Sequence, residues 1–321
     1  MLLALILVRW LHLSASILLA SLFLFDTVIV VPVARKPSPG TGHLLDTIQQ
    51  LRCRTALWTL LVALMSWFGW SWLVASTMTG DDLIQCLQSG DWLTVLTETQ
   101  FGHIWLFRVI LSLAFGIILW MVAGISWRRS FLQTTLVWLS VIELVSLAWA
   151  GHATATPGQF GIVHLLGDAL HLLTSAFWPG ALVPLAAFLF LLLKSSQVEA
   201  IRLAAPVVRR FSASSLIAVA VMAFTGLLNG IFMVGSFRAL LTSAYGQTLV
   251  CKLILFFAMI GFGAWNLFLL KPRIAVELPT VNLAQKGAVH LLLRNVLWEI
   301  GLGTLVILIV GLLGITPPPM R

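Results

Sequence analysis

Charge is what this 321-residue chain has least of. Only 9% of its residues are Asp, Glu, Lys or Arg, and eleven of them are acidic. A soluble domain carries about a quarter, so an ordinary water-facing surface is excluded. Cysteine is equally sparse. The three present (Cys53, Cys86, Cys251) form no CxxC and no paired framework, which excludes a disulfide scaffold and a thiolate zinc site. No GxxxxGK[ST] stretch occurs, so the phosphate-cradling loop of the P-loop ATPases is missing.

What is there is hydrocarbon. Hydrophobic residues make up 60% of the chain and mean hydropathy is +1.03. About 20 apolar residues cross a bilayer as helix, and the sequence divides into eight such runs, near 2–31, 55–77, 104–126, 132–151, 162–193, 211–233, 247–270 and 295–315. They are continuously apolar, not alternating, which argues against barrel strands. The first run lacks a basic segment before it and a small-residue cleavage site, so it reads as a retained helix and not a signal peptide. The expected fold is all-α: one integral membrane domain over 1–321, a polytopic bundle of eight transmembrane helices. The loops 32–54, 78–103 and 271–294 are too short for cores of their own. The second is expected to carry a short interfacial helix. No internal repeat is evident.

The formal charge of +8 suggests nucleic acid only until the charges are placed. Arg35, Lys36, Arg52 and Arg54 fall in the first loop and Arg128 and Arg129 in the third. Lys194, Arg202, Arg209 and Arg210 fall in the fifth, and Lys271, Arg273, Lys286 and Arg294 in the seventh. The even loops hold only Arg238. This one-sided distribution is the positive-inside pattern. It makes odd loops cytoplasmic and both termini periplasmic, and it leaves no basic surface for nucleic acid.

Seven charges remain inside the apolar runs: Arg9, Asp26, Arg108, Glu143, Asp168, Lys252 and Glu299. Intramembrane ionisable groups are costly and point to function. The topology puts Arg9, His12, Arg108, His152, His164, Asp168, His171 and Lys252 in the outer third. Helix five gives the sharpest pattern. His164, Asp168 and His171 are four and three residues apart, so at about 100° per residue they share one face; Ser175 and Trp178 extend it. Two imidazoles and a carboxylate directed at one point are a metal-ligand pattern. His152 lies twelve residues before His164 across a short loop. Bland readings stand beside these: His152 at the headgroup level, His12 as a structural partner, Asp168 as counter-ion of Arg9, Arg108 or Lys252. Glu143 reads as a proton relay or a hydrogen-bond acceptor. Lys252 and Asn266 share a face of helix seven. Met222 and Met233 read as gap-fillers.

Gly151-His152-Ala153, His164-x3-Asp168-x2-His171 and Phe177-Trp178-Pro179-Gly180-Ala181-Leu182 together resemble the copper-resistance protein D family of bacterial inner-membrane proteins. Arg210-Phe211-Ser212, Thr225-Gly226, Gly246-x2-Leu249-x2-Lys252, Asn266, Arg294 and Glu299 add to the resemblance. It implies a multi-pass inner-membrane protein that handles copper, moving it from a periplasmic copper carrier toward the cytoplasm; loading copper on partners is the other form of the same expectation. It also implies that His152, His164, Asp168 and His171 are the copper-associated positions; His12, at the same depth, is a further metal-ligand candidate from its placement alone. The cations Arg9, Arg108 and Lys252 would repel such cargo. They keep open a second reading, a haem b redox protein with His12 and His171 as axial ligands and the cations on propionates or a quinone. A scaffold for periplasmic partners is the third.

Overall fold

The computed structural model describes residues 1–34, 42–122, 131–151, 158–195, 201–274 and 283–319. Among them eight helices are long and apolar enough to cross a membrane: α1 (Leu2–Ala34), α2 (Gly42–Thr79), α3 (Gln100–Val122), α4 (Phe131–Ala150), α5 (Gly158–Lys194), α6 (Ala204–Val234), α7 (Ala244–Ile274) and α8 (Gln285–Leu313). No strand occurs among the described residues. The eight-helix bundle expected from hydropathy is thus present.

The boundaries differ in an instructive way. Helix α2 begins at Gly42 rather than near 55, and α8 begins about ten residues before the expected 295. Hydropathy marks where hydrocarbon begins. Backbone hydrogen bonding carries a helix past that point into polar sequence. Much of what reads as loop in 32–54 is therefore helix. The second loop holds two short helices, Leu83–Gln88 and Asp91–Glu98. Asp82 caps the first, its Oδ1 accepting from the amides of Ile84 (2.9 Å) and Gln85 (2.8 Å). This satisfies donors a helix start would leave unpaired.

Helix α1 lies at the centre, packed on α2, α4, α5 and α8. Close approach depends on small residues, as is usual where lipid gives no hydrophobic drive between helices. A Cβ on Gly180 would stand 2.7 Å from Ile17 Cγ2 and strike Ser21 Oγ, so only glycine lets α5 press on α1 there. Helix α6 packs mainly on α5 and α7 mainly on α8. The space between α6 and α7 is consequently left for cavities.

Four spans are irregular, α4 ending in a 3-10 stretch over Ser146–Ala150. Helix α5 breaks between Phe177 and Leu182, where Pro179 has no amide hydrogen to continue the ladder. Helices α1 and α7 each contain a π-turn, Asp26–Val30 and Asn266–Leu270. Each starts on a polar residue six positions before a proline, Pro32 and Pro272. A proline ring crowds the carbonyl four residues back, and a widened turn relieves that crowding. The same local solution thus recurs near the two ends of the chain.

Candidate functional site

Two polar assemblies occupy the same end of the bundle. The first is solid. Arg108 on α3 is fully buried, with His12, Ser16, Ser66, Ser112 and Glu143 buried around it. Its Nη1 donates to the Glu143 carbonyl and to Ser146 Oγ (2.6 Å). Its Nη2 donates to His12 Nε2 (2.8 Å) and Ser16 Oγ (3.2 Å), and lies 3.7 Å from Glu143 Oε1. Ser112 Oγ donates to the same carboxylate at 3.0 Å. A guanidinium only donates, so His12 Nε2 must accept and its hydrogen sits on Nδ1. Nδ1 lies 3.0 Å from Ser66 Oγ and 3.2 Å from the Ala63 carbonyl. Both ring nitrogens of His12 are therefore occupied by protein partners.

The second assembly is hollow. A cavity of about 270 Å³ is lined by Arg9, Trp70, His164, Asp168, His171, Ser175, Trp178, Asn229 and Lys252, and by the thioethers of Met222, Met233 and Met259. Their spacing explains the convergence. Met222, Gly226, Asn229 and Met233 recur at helical intervals along one face of α6. That face meets the His164–Asp168–His171 face of α5.

Within the cavity His171 is the best defined group. Its Nδ1 lies 3.0 Å from Thr225 Oγ1. The single hydroxyl hydrogen of Thr225 goes to its own backbone, at the Val221 carbonyl (2.8 Å). With that hydrogen placed there, the hydroxyl oxygen accepts from Nδ1–H, the tautomer in which Nε2 keeps its lone pair. An imidazole oriented this way by a second group is how metal-binding histidines are commonly held. Asp168 Oδ1 accepts from Asn229 Nδ2 at 3.1 Å. Asn229 Oδ1 is buried without a partner. His164 is buried and stacked on Phe232 at 4.7 Å between centroids. Arg9 lies over the Trp70 ring, 4.5 Å from its centroid.

The sequence-predicted residues are thus divided. His164, Asp168, His171, Trp178, Lys252 and Arg9 share the cavity. His12, Arg108 and Glu143 stand apart in the solid network. His152 lies outside the described residues, although its neighbour Gly151 lines the cavity. Asn266 and Glu299 belong to a separate cavity. Among the described residues no three His, Cys, Asp or Glu side chains are close enough to hold a metal ion together. The haem reading is not favoured. His12 lines no part of the cavity that holds His171, and its nitrogens are already bonded, so the two do not form an axial pair. The sequence reading missed Asn229, Ser215, Asn295 and the buried ion pair Asp26–Arg52. The first three were detectable as polar residues at helical spacing inside apolar runs. The last was not, because Arg52 was counted as a loop charge.

No solved structure matches this chain. Two family models do: copper resistance protein D-like, N-terminal domain, over residues 1–162, and copper resistance protein D over 205–313. His164, Asp168, His171 and Trp178 fall in the interval between them. Among curated proteins, copper resistance protein D of Pseudomonas syringae pv. tomato is 28% identical over 83% of each chain. Inner membrane protein YebZ of Escherichia coli (strain K12) is 30% identical over 70% of this chain and 71% of that protein. Copper transport protein CutJ of Bacillus subtilis (strain 168) is 33% identical over 56% of this chain and 32% of its own length. With eight apolar spans and family models over both ends of the bundle, the chain belongs to the copper resistance protein D family.

Proposed function

We propose that this protein sits in the bacterial inner membrane and takes copper from the periplasm into the bundle, toward the cytoplasm, as part of copper homeostasis. The Lys/Arg asymmetry of the loops supports an orientation with both termini and the outer cavity periplasmic. A periplasmic copper carrier would supply the ion. His171 Nε2, His164, Asp168 and, from the adjoining segment, His152 are the proposed ligands. His12 is not retained as one, because its two nitrogens are spoken for.

The single observation that carries the reading is the His171–Thr225 hydrogen bond. In the Nδ1–H tautomer it leaves Nε2 a lone pair for a ligand, in a cavity also lined by Asp168, Met222, Met233 and Met259. Imidazole and thioether sulfur both suit copper. Among the described residues no three His, Cys, Asp or Glu side chains already converge, so binding there requires side chains to close on the ion.

The test is copper content of purified protein together with uptake into proteoliposomes. Replacing His171 by Ala is expected to weaken copper binding by about tenfold or more, with the helical spectrum unchanged. A His171→Ala protein that keeps its copper and transports normally would remove the assignment.

A further inference from the structure

The outer cavity is not the only hollow along α6 and α7. A second, of about 200 Å³, is lined by Ser212, Ser215 and Val219 of α6, Ile260, Gly263 and Asn266 of α7, and Val296 and Glu299 of α8. The two are stacked along the same three helices. Met222 and Val219 are one turn apart, Met259 and Ile260 are adjacent, and Glu299 and Gly303 are one turn apart, the first of each pair's cavities giving way to the second within a turn. One side chain lines both: Trp178. It is buried, lies at the break in α5, and meets Phe256 of α7 edge-on with centroids 5.7 Å apart.

The inner cavity holds a carboxylate without a cation. Glu299 is 2% exposed. Its Oε1 accepts from Asn266 Nδ2 at 2.7 Å, and Asn266 Oδ1 accepts from Asn295 Nδ2 at 2.9 Å. Among the described residues no Lys, Arg or His is in ion-pair distance of it. The other π-turn makes the contrast. There Asp26 is closed by Arg52; here the carboxylate has amides only. Ser215 Oγ, on the same cavity wall, is buried and has no partner. A carboxyl group with an amide but no cation, and an unused hydroxyl on the same wall, offer oxygen ligands that a cation can take by displacing the carboxyl proton.

Resting on the copper reading above, we infer that the ion crosses in two stages: from the His164–Asp168–His171 cavity, past Trp178 as the partition, to a second station where Glu299 and Ser215 place oxygens in an otherwise apolar hollow. The outer station is built to capture, with imidazole and thioether. The inner one offers harder oxygen ligands that hold copper weakly, which suits release. The break at Trp178-Pro179-Gly180 is held to both flanking segments, the Trp178 and Gly180 amides donating to the Thr174 (3.2 Å) and Ser175 (2.8 Å) carbonyls and the Val183 amide to the Gly180 carbonyl (3.2 Å), so passage falls to rotation of the Trp178 side chain.

The experiment compares wild type and Glu299→Gln, measuring copper bound at equilibrium and copper entering liposomes loaded with a copper-sensitive dye. Glu299→Gln keeps the outer site and is expected to bind copper with unchanged affinity there, while uptake falls by about tenfold or more; Glu299→Asp restores part of it. Uptake by Glu299→Gln at the wild-type rate overturns the second station and leaves the outer site standing. Wild type that binds no copper overturns the copper reading and this inference together. If Glu299→Gln does not yield monodisperse protein, Ser215→Val carries the same test. It narrows the inner cavity without touching the carboxylate. Slower uptake with unchanged binding is expected, and unchanged uptake again overturns the proposal.

Discussion

The first four helices and the last four treat intramembrane charge in opposite ways. In α1–α4 the charges away from the cavity are paired: Asp26 with Arg52, and Arg108 with Glu143, His12, Ser16 and Ser146, while Arg9, on the cavity wall, rests on the Trp70 ring. In α5–α8 they are not. Asp168 has an amide, Glu299 has an amide, and Lys252 has no carboxylate within ion-pair distance among the described residues. Hydrocarbon makes each unmatched charge expensive. A chain that pairs them by direct contact in one half and leaves them out of contact beside cavities in the other, Asp168 and Lys252 in one cavity and Glu299 in the next, separates a frame from the proposed passage. Arg108, which the sequence reading counted among the cations facing the cargo, belongs to the frame. Only Arg9 and Lys252 remain on the cavity wall, and the electrostatic objection to a cation is smaller by that much.

The largest expected effect breaks the frame. Arg108→Leu strips Glu143 of its ion pair and leaves His12 Nε2 and Ser16 without their donor. Removing one partner of a buried pair costs about 3–5 kcal/mol. Loss of monodisperse protein, or a sharply lowered midpoint in detergent thermal unfolding, is the measurement. An Arg108→Leu protein as stable as wild type would mean that the network is not structural. A paired prediction sharpens the contrast between the two histidines. His12→Ala is expected to lower stability by about 1–3 kcal/mol through unsatisfied buried groups and to leave copper binding unchanged. His171→Ala does the reverse. If both changes act on copper alone, the division into frame and passage fails.

The division explains what could be read from the sequence. Helix number followed from run length, because the bilayer sets a thickness that hydropathy reports directly. The His164–Asp168–His171 face followed from spacing along one helix, which is local geometry. The assignment of His12 to the frame did not follow. Depth placed it beside His171, but depth is one coordinate, and which neighbour a side chain meets depends on how helices turn about their axes and pack. Arg108 shows the same limit: its level in the membrane was legible, its rotation toward Glu143 was not. Asn266 and Lys252 share a face of α7, as read, yet they serve two cavities, because a face tells nothing of the Trp178 partition that crosses it.

The smallest expected effect tests what remains of the electrostatic objection. Lys252 lines the outer cavity with Asp168 and His171, and its ammonium opposes any cation there. At about 10 Å and an effective dielectric of about 40 for a wetted cavity, one like charge costs about 0.8 kcal/mol, or about fourfold in affinity. Lys252→Met keeps the length of the side chain, removes the charge and adds a thioether. Copper affinity is therefore expected to rise by about fourfold, read by titration against a chelator of known strength. The sign matters more than the size. A cavity meant for an anion, such as the propionates of a haem or a phosphate, would lose affinity for its ligand when Lys252 goes. It would gain nothing for copper that a thioether elsewhere on its wall did not also give. Leu249→Met, one turn away on the same wall, supplies the sulfur while leaving the ammonium in place. A rise confined to Lys252→Met assigns the effect to charge and marks the cavity as one for cations; equal rises in both assign it to sulfur, and a fall in Lys252→Met alone would return the outer cavity to an anionic ligand.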